Sequence, residues 1–268
     1  KGQVQIALVG YLFSGDFPEA YLRGVEKQTE ALGANLRVFD ARQQAASQGE
    51  MIDQAIDLGV DGIIVQLGLA ETLKAPIDRA IAKGIKVVAF DVDLNTPQVT
   101  QVEQDHHALA RLALDQAVKD NGTKFDAGYV YISGFTPMER RDEIWSQVKK
   151  ANPGIVEKAR FGTLNPPIAN SVADQASAVL RANPGISVIF APFDEFAKGA
   201  KIAVDEAGLA SKVKIYSADI STADIQIMKE PDSAWAATAA VNPQVAGAIS
   251  VRSLAMLIAG ENPGHQVL

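Results

Sequence analysis

The chain has 268 residues with 25 basic and 32 acidic side chains, a net charge of −7 and no cysteine. That balance offers no basic footprint for phosphate backbones, which argues against nucleic acid as a partner, and the missing cysteine removes disulfides, thiolate nucleophiles and Cys-ligated zinc. The longest apolar stretches, such as "SLAMLIAG", fall far short of the roughly 20 residues that cross a bilayer, and the length favours two domains over one.

Short β-branched runs alternate with amphipathic stretches: "VQIALVG" then "PEAYLRGVEKQTEALG", "NLRVFDA" then "GEMIDQAIDLG", "DGIIVQLG" then "LKAPIDRAIAKG", and finally "IKVVAFDVD". This is the βαβ rhythm of a parallel sheet, with strands buried on both faces and helices that stop at Gly33, Gly59 and Gly84. Residues 94–105 read as a crossover. The rhythm then restarts with a helix near His106, followed by "AGYVYISG", "EIWSQVKKANPG", "IVEKARFGTL", "VADQASAVLRANPG", "ISVIFAPFD", "EFAKGAKIAVDEAG" and "VKIYSADIS". In "AWAATAAVNPQ", Asn242 and Pro243 break a strand and mark a second crossover before a helix over 244–259 that packs back on the first half. The fold class is α/β, with two doubly wound parallel-sheet lobes. The expected boundaries are 1–104 with 242–262 for the N-terminal lobe, and 105–241 with 263–268 for the C-terminal lobe. The polar lead "KGQ" straight into a strand is read as a chain whose secretory signal either has been removed or never existed.

Open α/β sheets bind ligands outside the carboxyl ends of their strands. Those ends carry Phe13, Asp16 and Phe17; Gln66; Asp91 and Asp93; "SGFTPMERR" with Arg140 and Arg141; "TLNPP" with Asn165; Phe193 and Asp194; and Asp219. Carboxylates that accept, a guanidinium fork that donates and aromatics that cover C–H faces suit a small polyhydroxylated ligand. Each has a structural alternative. Asp91 can cap the next segment or bind ligand, Asp93 points the opposite way by strand alternation, and Asp194 precedes a helix and can cap it. Phe13, Phe17 and Phe193 can be core, and Trp145 and Trp235 are assigned to packing. One of Arg140 and Arg141, at a helix start where cations are disfavoured, is expected to turn into the cleft. His106 and His107 are read as a solvent-exposed helix start. No nucleophile elbow, phosphate loop or zinc-protease motif occurs, so an enzyme acting on a carbohydrate phosphate through Asp91 and Asp93 is the weakest reading.

Taken in order, "IALVGYLFSGDFPEAYLRGVEKQTEALG", "DLGVDGIIVQ", "GIKVVAFDVD", "PMERRDEIW", "VIFAPFDEFAKGAKIAVDEAG", "IYSADIS" and "AATAAVNPQVAGA" resemble the type I periplasmic sugar-binding proteins, the ribose-binding-like receptors of ABC transporters. The resemblance covers the whole chain. It implies a three-segment hinge, closure of the lobes around the ligand, a periplasmic location, a membrane permease as partner, a monomer, and neither cofactor nor metal nor catalysis. It places Phe17 where the family stacks an aromatic on sugar, and Gln66, Asp91, Arg141 and Asp219 on ligand-binding positions. Phe193 stands where the family has an amide, and Val92 and Val241 where it has polar groups. These departures favour a deoxy-sugar, pentose derivative or polyol over ribose, glucose or galactose, with an autoinducer-2 or rhamnose-type ligand as the alternative. The effector domain of a LacI-type regulator shares the fold and is a further alternative.

Overall fold

The computed structural model describes residues 2–268. The chain opens with β1 (Gln5–Gly10), α1 (Asp16–Ala31), β2 (Asn35–Asp40), α2 (Ala45–Asp57), β3 (Gly62–Gln66), α3 (Ala70–Ala82), β4 (Lys86–Phe90) and β5 (Val99–Glu103). It continues with α4 (His106–Asn121), β6 (Lys124–Val130), α5 (Thr136–Ala151), β7 (Gly154–Phe161), α6 (Ile168–Ala182), β8 (Ile186–Ala191), α7 (Asp194–Glu206), β9 (Lys214–Ala218), α8 (Thr222–Met228) and β10 (Trp235–Ala239). It ends with α9 (Pro243–Ile258) and β11 (Gln266–Val267).

Two parallel sheets result, in the strand orders β11-β5-β4-β3-β1-β2 and β10-β9-β8-β6-β7. The central strands β1, β3 and β4 are closed to solvent on both faces, which is why they read as unbroken apolar runs, whereas the edge strand β2 is largely exposed. Helices α1, α2 and α3 stop ahead of Gly33, Gly59 and Gly84, each of which has positive φ. Trp145 and Trp235 are packed in the second-lobe cores.

The last helix belongs with the first lobe. A Cβ on Gly24 of α1 would lie 2.1 Å from the Gln244 carbonyl oxygen, and one on Gly247 of α9 would lie 2.3 Å from the Tyr21 carbonyl oxygen, so two glycines let these helices touch backbone to backbone. Tyr21 Oη donates to Ser250 Oγ at 2.9 Å across the same contact.

The tail corrects one expected boundary. Residues 263–268 are expected in the C-terminal lobe, but β11 pairs with β5 in the first sheet, where it satisfies backbone groups that the edge of β5 would otherwise leave open. Residues 94–105 likewise hold the strand β5 rather than a crossover alone. Leu268 then lies beside the first crossover: its nitrogen donates to the Glu103 carbonyl and its carbonyl accepts from Asp105 N, both at 2.9 Å.

Candidate functional site

Two strand ends that carry a carboxylate are strained in the same way. Asp91, directly after β4, has φ 54°, and Asp219, directly after β9, has φ 79°. Non-glycine residues in this left-handed region cost roughly 1–2 kcal/mol, so a surrounding structure must hold them there. Both side chains are buried, at 4% and 3% exposure, and both line one cavity between the lobes.

Asp91 is held from the first crossover. Its Oδ1 accepts from Gln104 N at 3.0 Å and lies 3.0 Å from His106 Nε2, and its Oδ2 accepts from Gln104 Nε2 at 2.7 Å. Burial pushes its pKa up, but His106 and the Gln104 donors outweigh that and leave it below the ordinary carboxylate value. Asp219 is held from within its own lobe. Arg141 donates through one guanidinium nitrogen to Oδ1 at 3.2 Å and through the other to Oδ2 at 3.3 Å, and it also reaches the Pro192 carbonyl. Here burial wins over the guanidinium, and the Asp219 pKa is raised. Two polar groups of this cavity are left without a partner among the described residues: Arg141 Nε–H, a donor, and Gln104 Oε1, an acceptor. A ligand hydroxyl can both accept and donate, so it can satisfy groups of either kind.

The space between the lobes measures about 580 Å3 when the part open to solvent is included. Apart from Gln66, the remaining lining is apolar. Phe17, Pro18, Leu12, Leu67 and Phe90 come from the first lobe, and Ile132, Phe135, Met138, Leu164, Phe193 and Phe196 are among those from the second. Tyr11 and Phe135, from opposite lobes, bring their ring centroids to 5.1 Å.

Of the residues singled out in the sequence, Phe17, Gln66, Asp91, Arg141, Phe193 and Asp219 line this cavity. Five others do not. Phe13 packs into the first-lobe core, with its ring over Gly10, where a Cβ would meet it at 2.2 Å. Asp16 is turned to the second lobe, where its Oδ2 accepts from Lys198 Nζ and, at 3.1 Å, from Ser221 Oγ. Asp93 is exposed and accepts from Arg140 at 3.1 Å, so it forms no acid pair with Asp91. Asn165 is exposed in the loop after β7. Asp194 is fully buried at the start of α7, with Oδ1 accepting from Glu195 N at 2.9 Å and Oδ2 unpartnered among the described residues. Its pKa is raised well above the ordinary value by burial and by the nearby Asp219, Asp224 and Glu195 charges.

His106 corrects the reading of an exposed helix start: it is 1% exposed and sits on Asp91, whereas His107 is exposed and bonds Glu143. Gln104 escapes the sequence reading because residues 94–105 pass there for a crossover. The same strand-end rule applied to β5 finds it.

Two ion clusters bridge the lobes outside the cavity. Lys198 holds Asp16 across the cleft and Glu195 at 2.7 Å on its own helix. Arg140 holds Glu103 and Asp93 of the first lobe, and Thr136 Oγ1 accepts from Asp93 N at 3.0 Å. Among the described residues no group of three or more His, Asp or Glu is disposed to hold a metal ion.

Residues 6–262 match the family described as periplasmic binding protein domain. The fold is similar to the crystal structure of a 5-methylthioribose transporter solute-binding protein from Thermotoga lettingae in complex with 5-methylthioribose. That match is 34% identical, covers 98% of this chain and 84% of that one, and has a TM-score of 0.96. It is equally similar to a sugar ABC transporter structure from Yersinia enterocolitica, at 34% identity over 100% of this chain and 82% of that one, with a TM-score of 0.96. A D-ribose/D-allose-binding protein of Pseudomonas aeruginosa is 26% identical over 230 residues, 82% of this chain and 70% of that protein.

Proposed function

The chain belongs to the periplasmic binding protein domain family, as a type I sugar-binding protein, and from that membership we propose that it is the solute receptor of an ABC importer, capturing a small neutral sugar or polyol. The observation that carries this reading is the cavity at the carboxyl ends of both sheets, where Asp91 and Gln104 from one lobe and Arg141 and Asp219 from the other line a single space. Because each lobe supplies half of the contacts, ligand has higher affinity for the closed arrangement and shifts the open–closed equilibrium toward it. Hinge closure around a ligand is the motion for which periplasmic binding proteins are the standard example, so the mechanism here is that of the family rather than one inferred anew.

The roles follow from the chemistry. Asp91, held charged by His106 and Gln104, accepts from ligand hydroxyls through its remaining lone pair, and Arg141 donates from Nε while its two terminal nitrogens hold Asp219. Phe17 and Phe193 supply apolar walls from opposite lobes. The receptor works in the periplasm after removal of a signal peptide, as a monomer that delivers to a membrane permease, and catalyses no reaction. Similarity to sugar-transporter structures at 34% identity supports the carbohydrate class.

A thermal-shift screen against pentoses, deoxy-sugars, hexoses and polyols tests the proposal, since a ligand that binds only the folded form raises Tm. A hit confirmed by calorimetry at one site per chain is the expected result. No stabilisation by any compound in a broad carbohydrate and polyol library would overturn it.

A further inference from the structure

Resting on that receptor reading, we propose that the ligand is amphipathic: a monosaccharide-sized polyol that carries an apolar substituent, such as an alkyl or alkylthio group, at the end far from the hinge. The lining of the cavity is sorted along the sheets. The crossovers run beside β5, β10 and β11. Gln104 follows β5, Asp91 follows its neighbour β4, and Asp219 follows β9, the neighbour of β10, so the polar groups enter from the hinge side. Arg141 reaches them from α5. Leu12, Ile132, Phe135 and Leu164 enter after β1, β6 and β7, on the far side of both sheets, and Leu67 follows the central strand β3. Gln66 stands between, with Oε1 accepting from Leu12 N at 3.4 Å.

The two ends also differ in what they leave unsatisfied. Among the described residues, the buried lining atoms without partners are Arg141 Nε and Gln104 Oε1, both at the polar end. The far end joins Leu12 and Leu67 of the first lobe to Ile132, Phe135 and Leu164 of the second in one apolar cluster. A hydroxyl closed into that end would lose its water without gaining a partner, whereas a methyl or thioether group would bury apolar surface there. The same end rejects a fully hydroxylated hexose.

The test compares matched probes on the intact chain by titration calorimetry: D-ribose, its 5-deoxy-5-methylthio derivative, and a short alkylthio alcohol lacking the polyol. The substituted pentose is expected to bind about tenfold or more tighter than ribose, the discrimination a small apolar group gains in an apolar pocket, and the apolar alcohol not at all. In Leu164→Asn, and separately in Ile132→Asn, the ratio of the two pentose affinities should fall toward one. These half-buried positions are chosen so that the variants fold, and the wild-type ratio stands without them. Ribose or another unsubstituted polyol binding as tightly as the substituted pentose would overturn the amphipathic assignment and leave the sugar receptor standing. Failure of both pentoses and of every carbohydrate in the wider screen would overturn both.

Discussion

His106 Nε2 lies 3.0 Å from Asp91 Oδ1, with both side chains almost closed to solvent. The pair joins the end of a first-lobe strand to the first turn of the helix that opens the second lobe. The carboxylate that lines the cavity is therefore oriented by the hinge itself. Its charge is favoured by the same contacts that position it.

Asp91→Ala should weaken binding of the best carbohydrate ligand by about 2–5 kcal/mol, because it strands donors in a buried site. Calorimetry showing unchanged affinity would remove Asp91 from the binding set. The isosteric Asp91→Asn adds a pH signature. A folded-state pKa below the unfolded value contributes stability that is fully present above the unfolded value of about 4 and is lost as pH falls through the folded one. The variant should therefore be least stable relative to the parent at neutral pH and should converge with it in acid, as read from thermal melts.

Arg141 and Asp219 separate folding from recognition. Both lie in the second lobe and both are buried, so Arg141→Ala leaves an unpaired buried carboxylate and should cost about 3–5 kcal/mol of stability. Replacing both, as Arg141→Met with Asp219→Leu, should restore most of that stability while ligand binding stays lost. Recovery of binding together with stability in the double variant would show that the pair is structural only.

The contact between Asp16 and Lys198 tests closure apart from ligand contact, since neither residue lines the cavity. Asp16→Asn should weaken ligand binding by about 0.5–1.5 kcal/mol, the worth of a partly exposed charge-assisted contact. Because salt screens such pairs, the gap between parent and variant should narrow from low to high ionic strength. Equal affinities at low salt would mean that this contact does not report on closure.

The pattern of exposures explains what the sequence made legible. Strands such as "GIIVQ" of β3 are buried on both faces, so they show as unbroken apolar runs whose last residue marks the cleft. That rule picked out Gln66, Asp91 and Asp219, which line the cavity. It overreached at Asp16 and Asp93, whose partners Lys198 and Arg140 stand 182 and 47 residues away, a pairing that only the meeting of the lobes creates. It fell short at His106, because a histidine in a helix first turn looks solvated until its neighbour Asp91 is folded against it. The apolar end was hidden for another reason: Leu67, Ile132 and Leu164 in strand-end loops are indistinguishable by type from ordinary core.

Asp194 supplies the last prediction. It is fully buried, Oδ2 has no partner among the described residues, and burial with the surrounding Asp219, Asp224 and Glu195 charges raises its pKa, against the attraction of Lys198. A carboxyl whose folded-state pKa lies above its unfolded value keeps its proton longer when folded. Stability is therefore lost as pH rises from the unfolded value of about 4 through the folded one. Asp194→Asn removes the ionisation and supplies an amide donor beside Asp224, whose carboxylate oxygens lack hydrogen-bond partners among the described residues. The variant should be more stable than the parent at pH 7 to 8, by about 1–3 kcal/mol, and the gain should shrink toward and below the unfolded value of about 4, under which the parent carboxyl is protonated in both states. Melting curves across that range read the difference directly. A gain that is constant with pH, or a loss at neutral pH, would show that the buried carboxyl is satisfied as it stands.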